Sequence, residues 1–417
     1  MATDQTRRIF ADALTRLNSA DASALLRYHF RVAIPTPDEF DSLTESTPLV
    51  AALRERIARE GPITFRDFME AALYDPRHGY YATQDASTSR AWDYVTSPEV
   101  HPIFGTLVAK QIIELWRALG SPARFDVVEP GAGRGLLARD ILRRAAREPG
   151  FADAVRYHIV ERFGRLQRLQ EASLIEAEIE PARVTWHDAL PRMGDGCVVS
   201  NELFDSFPVH RVANHNGRLR ELYVDLHGGR FVDRLGPPST DELRAYFDQL
   251  GLLPGDGCIA EVNLAAAAWM QEAAASVGRG YVLTFDYGYE APELYAPWRR
   301  DGTLLCFYRQ SASSDPYQRV GRQDITSSVD FTTLRRAGEE AGMRTAGYTD
   351  QADFLTRLGI AEGVATIARE RPAEMEEYFA RRDVVLALID PARLGRIRVL
   401  LQAKDAPSGP FTGFVGE

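Results

Sequence analysis

Short apolar runs separated by amphipathic stretches recur through the middle of this chain. Residues 125–128, 157–160, 184–186, 197–199 and 281–285 are such runs, each bounded by turn residues. That texture predicts strands buried on both faces of a parallel sheet. Between the first two, Leu137, Ile141 and Ala145 recur four residues apart, one face of a helix. Strand, helix and strand in that order give a βαβ unit, and its repetition predicts a doubly wound α/β sheet.

Upstream, Thr64 is placed to cap a helix that begins at Phe65. Thr96-Ser97-Pro98-Glu99 combines a hydroxyl cap, a proline at the first helical position and an acid in the first turn. The helix it announces is expected to run on through Phe104, Leu107, Val108, Ile112 and Leu115. The first sixty residues read as helical and polar, with Ile9, Leu14 and Leu17 on one face, prolines at 35 and 37, an acidic loop over 38–45 and a helix near 49–60. Over 211–260 the period changes from 3.6 to 2. His215-Asn216-Gly217 and His227-Gly228-Gly229 are hairpin turns between alternating stretches, which predicts an inserted antiparallel sheet. The alanine-rich stretch 264–277 reads as a packed helix, and Asp330 as the cap of a helix that ends at Gly342.

The 417 residues are 45% apolar and 10% aromatic, enough for a folded core and too many for a disordered chain. A net charge of −10 argues against a nucleic-acid partner. Three scattered cysteines make neither a disulfide framework nor a zinc site, and the eight histidines have no metal spacing, so no metal is expected. No apolar run approaches the length of a membrane span. The N-terminus has no secretory layout, and Asp4, Asp12 and Asp21 do not suit a mitochondrial presequence. The expectation is a cytoplasmic protein that could form a homodimer.

The chemistry concentrates at strand ends. Val127-Val128-Glu129-Pro130-Gly131-Ala132-Gly133-Arg134-Gly135 takes a buried strand through an acid and three alternate glycines into a helix. Such glycines permit positive φ and let a ligand approach the backbone. A dinucleotide fingerprint needs glycine at 136, where Leu136 stands. The E-x-G-x-G-x-G form instead suits S-adenosylmethionine, so Glu129, Gly131, Gly133 and Gly135 are cofactor-binding candidates. Glu161, at the end of the next strand, is placed to accept hydrogen bonds from ribose hydroxyls; Asp188, one strand further, to meet an adenine amino group. The fourth strand leads into Asn201-Glu202-Leu203-Phe204-Asp205, which should face the transferred methyl group. A guanidinium carries five donors and stays protonated, so its methylation calls for carboxylates that align it and take a proton. Asn201, Glu202 and Asp205 are the catalytic candidates.

These motifs, with His78-Gly79-Tyr80-Tyr81, Asp93-Tyr94-Val95-Thr96-Ser97-Pro98-Glu99 and Asp286-Tyr287-Gly288, resemble the MidA-type S-adenosylmethionine-dependent methyltransferases over about residues 61–405. The resemblance implies a class I methyltransferase fold with a seven-stranded, mostly parallel Rossmann-like sheet. The expected division of the chain is a helical extension (1–60), unlike the family's usual start, a helical cap (61–120), the methyltransferase domain (121–405, with the insertion at about 211–260) and a tail (406–417). The resemblance also implies methyl transfer to arginine side chains of a protein partner. A small-molecule N- or O-methyltransferase and a non-catalytic assembly factor are the alternatives. The chain departs from the family at Ala132, where a proline is usual, and at Ser328, where a histidine is expected.

Overall fold

The computed structural model describes residues 48–83, 95–309, 311–362 and 382–414. The features expected over residues 1–47, together with Asp93 and Tyr94, lie outside them.

A seven-stranded sheet organises the chain: β1 (Phe125–Pro130), β2 (Val155–Val160), β3 (Val184–His187), β4 (Met193–Asn201), β5 (Val277–Asp286), β6 (Arg344–Asp350) and β7 (Arg398–Lys404). Its order is β6-β7-β5-β4-β1-β2-β3. Pairings β3–β2, β2–β1, β1–β4 and β4–β5 are parallel, while β7 runs antiparallel to both of its neighbours. This is the class I methyltransferase-like fold. Strand order reverses between β1 and β4, the point at which open α/β sheets bind ligands.

Both faces of the sheet are covered, which is why its strands read as nearly continuous apolar runs. Phe285 on β5 packs edge-on against Phe104 and Phe354, at ring distances of 5.4 and 5.2 Å. Val282 of the same strand faces a second cluster with Met270 and Phe331. The strand β6 is not among the elements the apolar pattern predicts. Its residues are partly exposed and include two threonines, a glycine and charged ends, so they carry no buried-strand signature.

The antiparallel insertion consists of His210–His215, Arg218–His227, Arg230–Gly236 and Ile259–Val262, joined at its edge by Ile63–Thr64. Both hairpin turns are as expected. Asn216 and Gly217 take φ of 52° and 73°, and Gly228 and Gly229 take 58° and 78°, the left-handed pair of a type I′ turn.

The helix announced at Thr96 does not run unbroken. It stops after one turn, Ser97–Val100, and a second helix spans Ile103–Ala118. Pro102 is the cause: it disfavours helical backbone in the residue before it, and His101 is extended at φ −162°, ψ 142°. The cap at Thr64 accepts from the Asp67 N–H at 3.1 Å. Asp330 Oδ1 accepts from the N–H groups of Thr332 and Thr333, and its helix ends before Gly342.

A cleft at the carboxyl ends of the strands

A cleft of about 530 Å³ opens where β1 to β4 end. Glu129, Gly131, Gly133, Glu161, Asp188, Asn201 and Glu202 line it. Gly135 and Asp205 do not; they stand behind the wall.

The glycine loop is set by its backbone. Gly131, Gly133 and Gly135 all have positive φ, at 63°, 53° and 75°. A Cβ on Gly135 would approach the Gln170 Cα to 3.0 Å, so that glycine serves helix packing. A Cβ on Gly133 would meet no protein atom within 4 Å and would project from a cleft-lining position. Gly133 thus keeps backbone open to a ligand, a cradle that fits the amino-acid end of S-adenosylmethionine.

Glu129 is buried, accepts the Tyr157 hydroxyl at 2.6 Å, and is pushed up to about 7 by burial. At 6% exposure, Glu161 has its Oε1 held by the Phe163 N–H at 3.0 Å and its Oε2 by Gln170 Nε2 at 3.2 Å. Burial raises its pKa too. Asp188 is exposed on the cleft wall.

Past β4 the chain turns sharply at Glu202, a non-glycine residue at φ 50°. Left-handed backbone costs such a residue about 1 kcal/mol. The turn is held because the Glu202 N–H donates to Phe285 O at 2.8 Å, while Asp286 Oδ2 accepts from the N–H groups of Leu203 and Phe204 at 3.1 and 2.8 Å. Glu202 Oε1 accepts from Asn201 Nδ2 at 3.0 Å and from the Ser97 N–H at 3.3 Å. The Thr96–Glu99 turn therefore docks on the acid that follows β4. Three oxygens here, Asn201 Oδ1 and Glu202 Oε2 in the wall and Asp205 Oδ1 behind it, are buried with no hydrogen-bond partner among the described residues.

Electrostatics follow from that crowding. Burial, with Asp286 and Glu99 nearby, pushes Glu202 up to about 8. Burial and the neighbouring Asp286, Glu202 and Asp324 hold Asp205 well above the usual carboxylate range. Burial raises Asp286 to about 7. Each such group binds its proton more tightly folded than unfolded. The stability it contributes is complete below its unfolded value near 4 and is lost as pH rises through its folded value. Thermal midpoints are expected to fall between about pH 5 and pH 8, with a shallower fall in Glu129→Gln. A midpoint flat over that range would contradict these shifts.

The far end of the cleft is closed by the cap. Tyr74 donates to Ser206 O at 3.1 Å and Tyr81 to Asp324 Oδ1 at 3.2 Å. Tyr80 is buried in the core beneath them. The opposite wall is one face of the helix Leu264–Ser276, carrying Ala265, Ala268, Trp269 and Glu272. The sequence marks that helix as packing only; its cleft-facing positions at i, i+3, i+4 and i+7 are the signal that could have placed it here. Gln170 and Asp286 are positioning groups: the sequence does not mark Gln170, and it marks Asp286 only as part of a family motif, with no role attached. Gln170 is visible as an amide on the stripe Leu166, Gln170, Leu174. Ser328 lies off the cleft, where its N–H donates to Thr303 Oγ1 and it borders a separate small cavity with Glu261. Cys306 is packed at 1% exposure. Among the described residues no group of His, Cys, Asp and Glu forms a metal site, and no helix is long and apolar enough to cross a membrane.

Comparison with known proteins gives this cleft its context. Residues 107–349 match a family model described as "Putative S-adenosyl-L-methionine-dependent methyltransferase". A Drosophila melanogaster protein named as the mitochondrial protein arginine methyltransferase NDUFAF7 homolog is 29% identical over 385 residues, 83% of this chain and 82% of its own. Human NDUFAF7, named likewise, is 29% identical over 388 residues, 84% of this chain and 81% of its own. A Burkholderia thailandensis structure bound to S-adenosyl-homocysteine superposes with a TM-score of 0.80 at 33% identity, covering 92% of this chain and 98% of that one. The cytoplasmic expectation is overturned by these relatives, since the fly, human and mouse proteins are all named as mitochondrial. Three acids near the N-terminus describe the composition of that segment, not the compartment in which the folded domain works.

Proposed function

Because this chain belongs to the MidA-type family of S-adenosyl-L-methionine-dependent methyltransferases, we propose that it transfers methyl groups to arginine side chains of a partner protein. The observation that carries the acceptor class is the orphaned Glu202 Oε2, buried in a wall of carboxylates and unpaired among the described residues. A buried acceptor oxygen left unpaired is costly, and a guanidinium supplies both the donors and a balancing charge.

Gly131 and Gly133 would hold the amino-acid end of the cofactor, Glu161 the ribose and Asp188 the adenine amino group, with Glu129 fixing the start of the loop. Bound there, the cofactor supplies a methyl group on a sulfonium centre, already activated toward a nitrogen nucleophile. What remains for the chain is positioning and charge. Asn201 holds the Glu202 carboxylate in orientation; Glu202 Oε2 aligns the guanidinium and takes the proton its nitrogen gives up. Asp205, behind the wall and held in its protonated form by burial and its acidic neighbours, leaves Glu202 as the acid that ionises toward the acceptor. The departure at Ser328 lies away from the cleft, so it leaves this acid wall unchanged.

The test uses methyl-labelled S-adenosylmethionine with the pure protein and an extract of its source, separated into protein and small-molecule fractions. Label is expected in protein, recovered as methylarginine after hydrolysis and lost with Glu202→Gln. Label confined to small molecules would replace this reading with a metabolite methyltransferase.

A further inference from the structure

One buried amide joins the three elements assigned above to the cofactor. Gln170 sits in the middle of the helix Gly164–Glu176 with no solvent exposure. Its Nε2 donates to Gly133 O at 3.1 Å in the glycine loop and to Glu161 Oε2 at 3.2 Å beyond β2. Its Oε1 accepts from Trp186 Nε1 at 2.8 Å on β3, two residues before Asp188. The partners themselves settle which way the amide points. An indole N–H only donates, whereas a carbonyl and a carboxylate only accept, so a single orientation satisfies all three bonds. The backbone of Gln170 also lies against Gly135, where any side chain would displace it.

We propose that Gln170 is a positioning residue for the cofactor ribose, holding the Glu161 carboxylate and the Gly133 backbone at one fixed separation. The inference rests on the reading that Glu161 meets the ribose. Of the Glu161 oxygens, Oε1 is turned toward its own chain by the Phe163 N–H, so Gln170 sets the direction of Oε2. A glutamate at 170 has the same length and still accepts from Trp186, but it presents an oxygen where two donors are needed. Glutamine alone meets all three demands.

The test is calorimetric binding of S-adenosylhomocysteine and of its 2′-deoxy form to the full chain, in wild type, Gln170→Met, Gln170→Glu and Glu161→Ala. Losing donors to a charged group is expected to raise the Kd of both Gln170 variants for S-adenosylhomocysteine about tenfold. The decisive readout is the ratio of the two ligands' Kd values, which reports the ribose hydroxyl alone. In wild type it is expected at about tenfold, and in both Gln170 variants it collapses toward one. A merely structural role would lower the thermal midpoint and weaken both ligands equally, leaving the ratio at its wild-type value, and that result overturns the proposal. Should Glu161→Ala collapse the ratio while both Gln170 variants keep it, only the role of Gln170 fails. Should Glu161→Ala keep it as well, the ribose assignment itself fails.

Discussion

Glu202→Gln is expected to lower kcat for methyl transfer about 100-fold while leaving the Kd for S-adenosylhomocysteine within about twofold. The substitution keeps the side chain's length and its hydrogen bond from the Ser97 N–H, so the turn survives. What it removes is the charge and the proton acceptor at Oε2. Unchanged turnover would remove Glu202 from the proposed chemistry. A pH signature accompanies the loss. Glu202 is held up at about 8, chiefly by burial, so its carboxyl is mostly protonated at neutral pH. Since the ionised form is the one that aligns a cation, kcat/KM is expected to rise with pH along an acid limb whose midpoint reports this value in the free enzyme. That limb should be missing from the residual activity of Glu202→Gln.

Much of this site is legible in the amino-acid sequence, and the reason is geometric. In a parallel sheet every strand ends at the same edge, so an acid or glycine that follows a buried apolar run is placed near the others whatever its distance in sequence. Glu129, Glu161, Asp188 and Glu202 follow four such runs, and all four line one cleft. The residues that escape notice carry no such mark. Asp286 does follow a strand, yet its carboxylate turns inward onto the N–H groups of Leu203 and Phe204, a contact spanning some eighty positions. Asp205, at the far end of its motif, is turned behind the wall by the sharp bend at Glu202, which spacing alone does not reveal. The break at Pro102 is legible from the proline itself, but the apolar stripe beyond it argues the other way. Strand β6 cannot be read from alternation, because partial exposure on both faces erases the pattern.

The cap and the sheet share the acceptor end, which ties fold to specificity. Ser97, Tyr74 and Tyr81 come from the cap, yet each bonds a group on the loops that follow the sheet strands or beside them: Glu202, Ser206 and Asp324. On the proposed reading, those aromatic walls and the Glu202 carboxylate would suit a flat cation, since a guanidinium can stack and donate at once. The end proposed for the cofactor holds the opposite kind of surface, a glycine backbone and the single acid Glu161.

That separation predicts a second large effect of a different kind. Glu161→Ala is expected to weaken cofactor binding about 100-fold, the loss of two hydrogen bonds to an ionised group at roughly 1.5 kcal/mol each. Burial raises the Glu161 pKa, and the Phe163 N–H and Gln170 amide oppose that rise while fixing the direction of the carboxyl oxygens. Its removal also leaves Gln170 Nε2 with one partner where it had two, which loosens Gly133 and extends the damage into the glycine loop. The acceptor end is untouched by this change, so turnover at saturating cofactor should fall far less than affinity does, the reverse of Glu202→Gln. Calorimetry with S-adenosylhomocysteine separates the two, and wild-type affinity in Glu161→Ala would remove the ribose assignment.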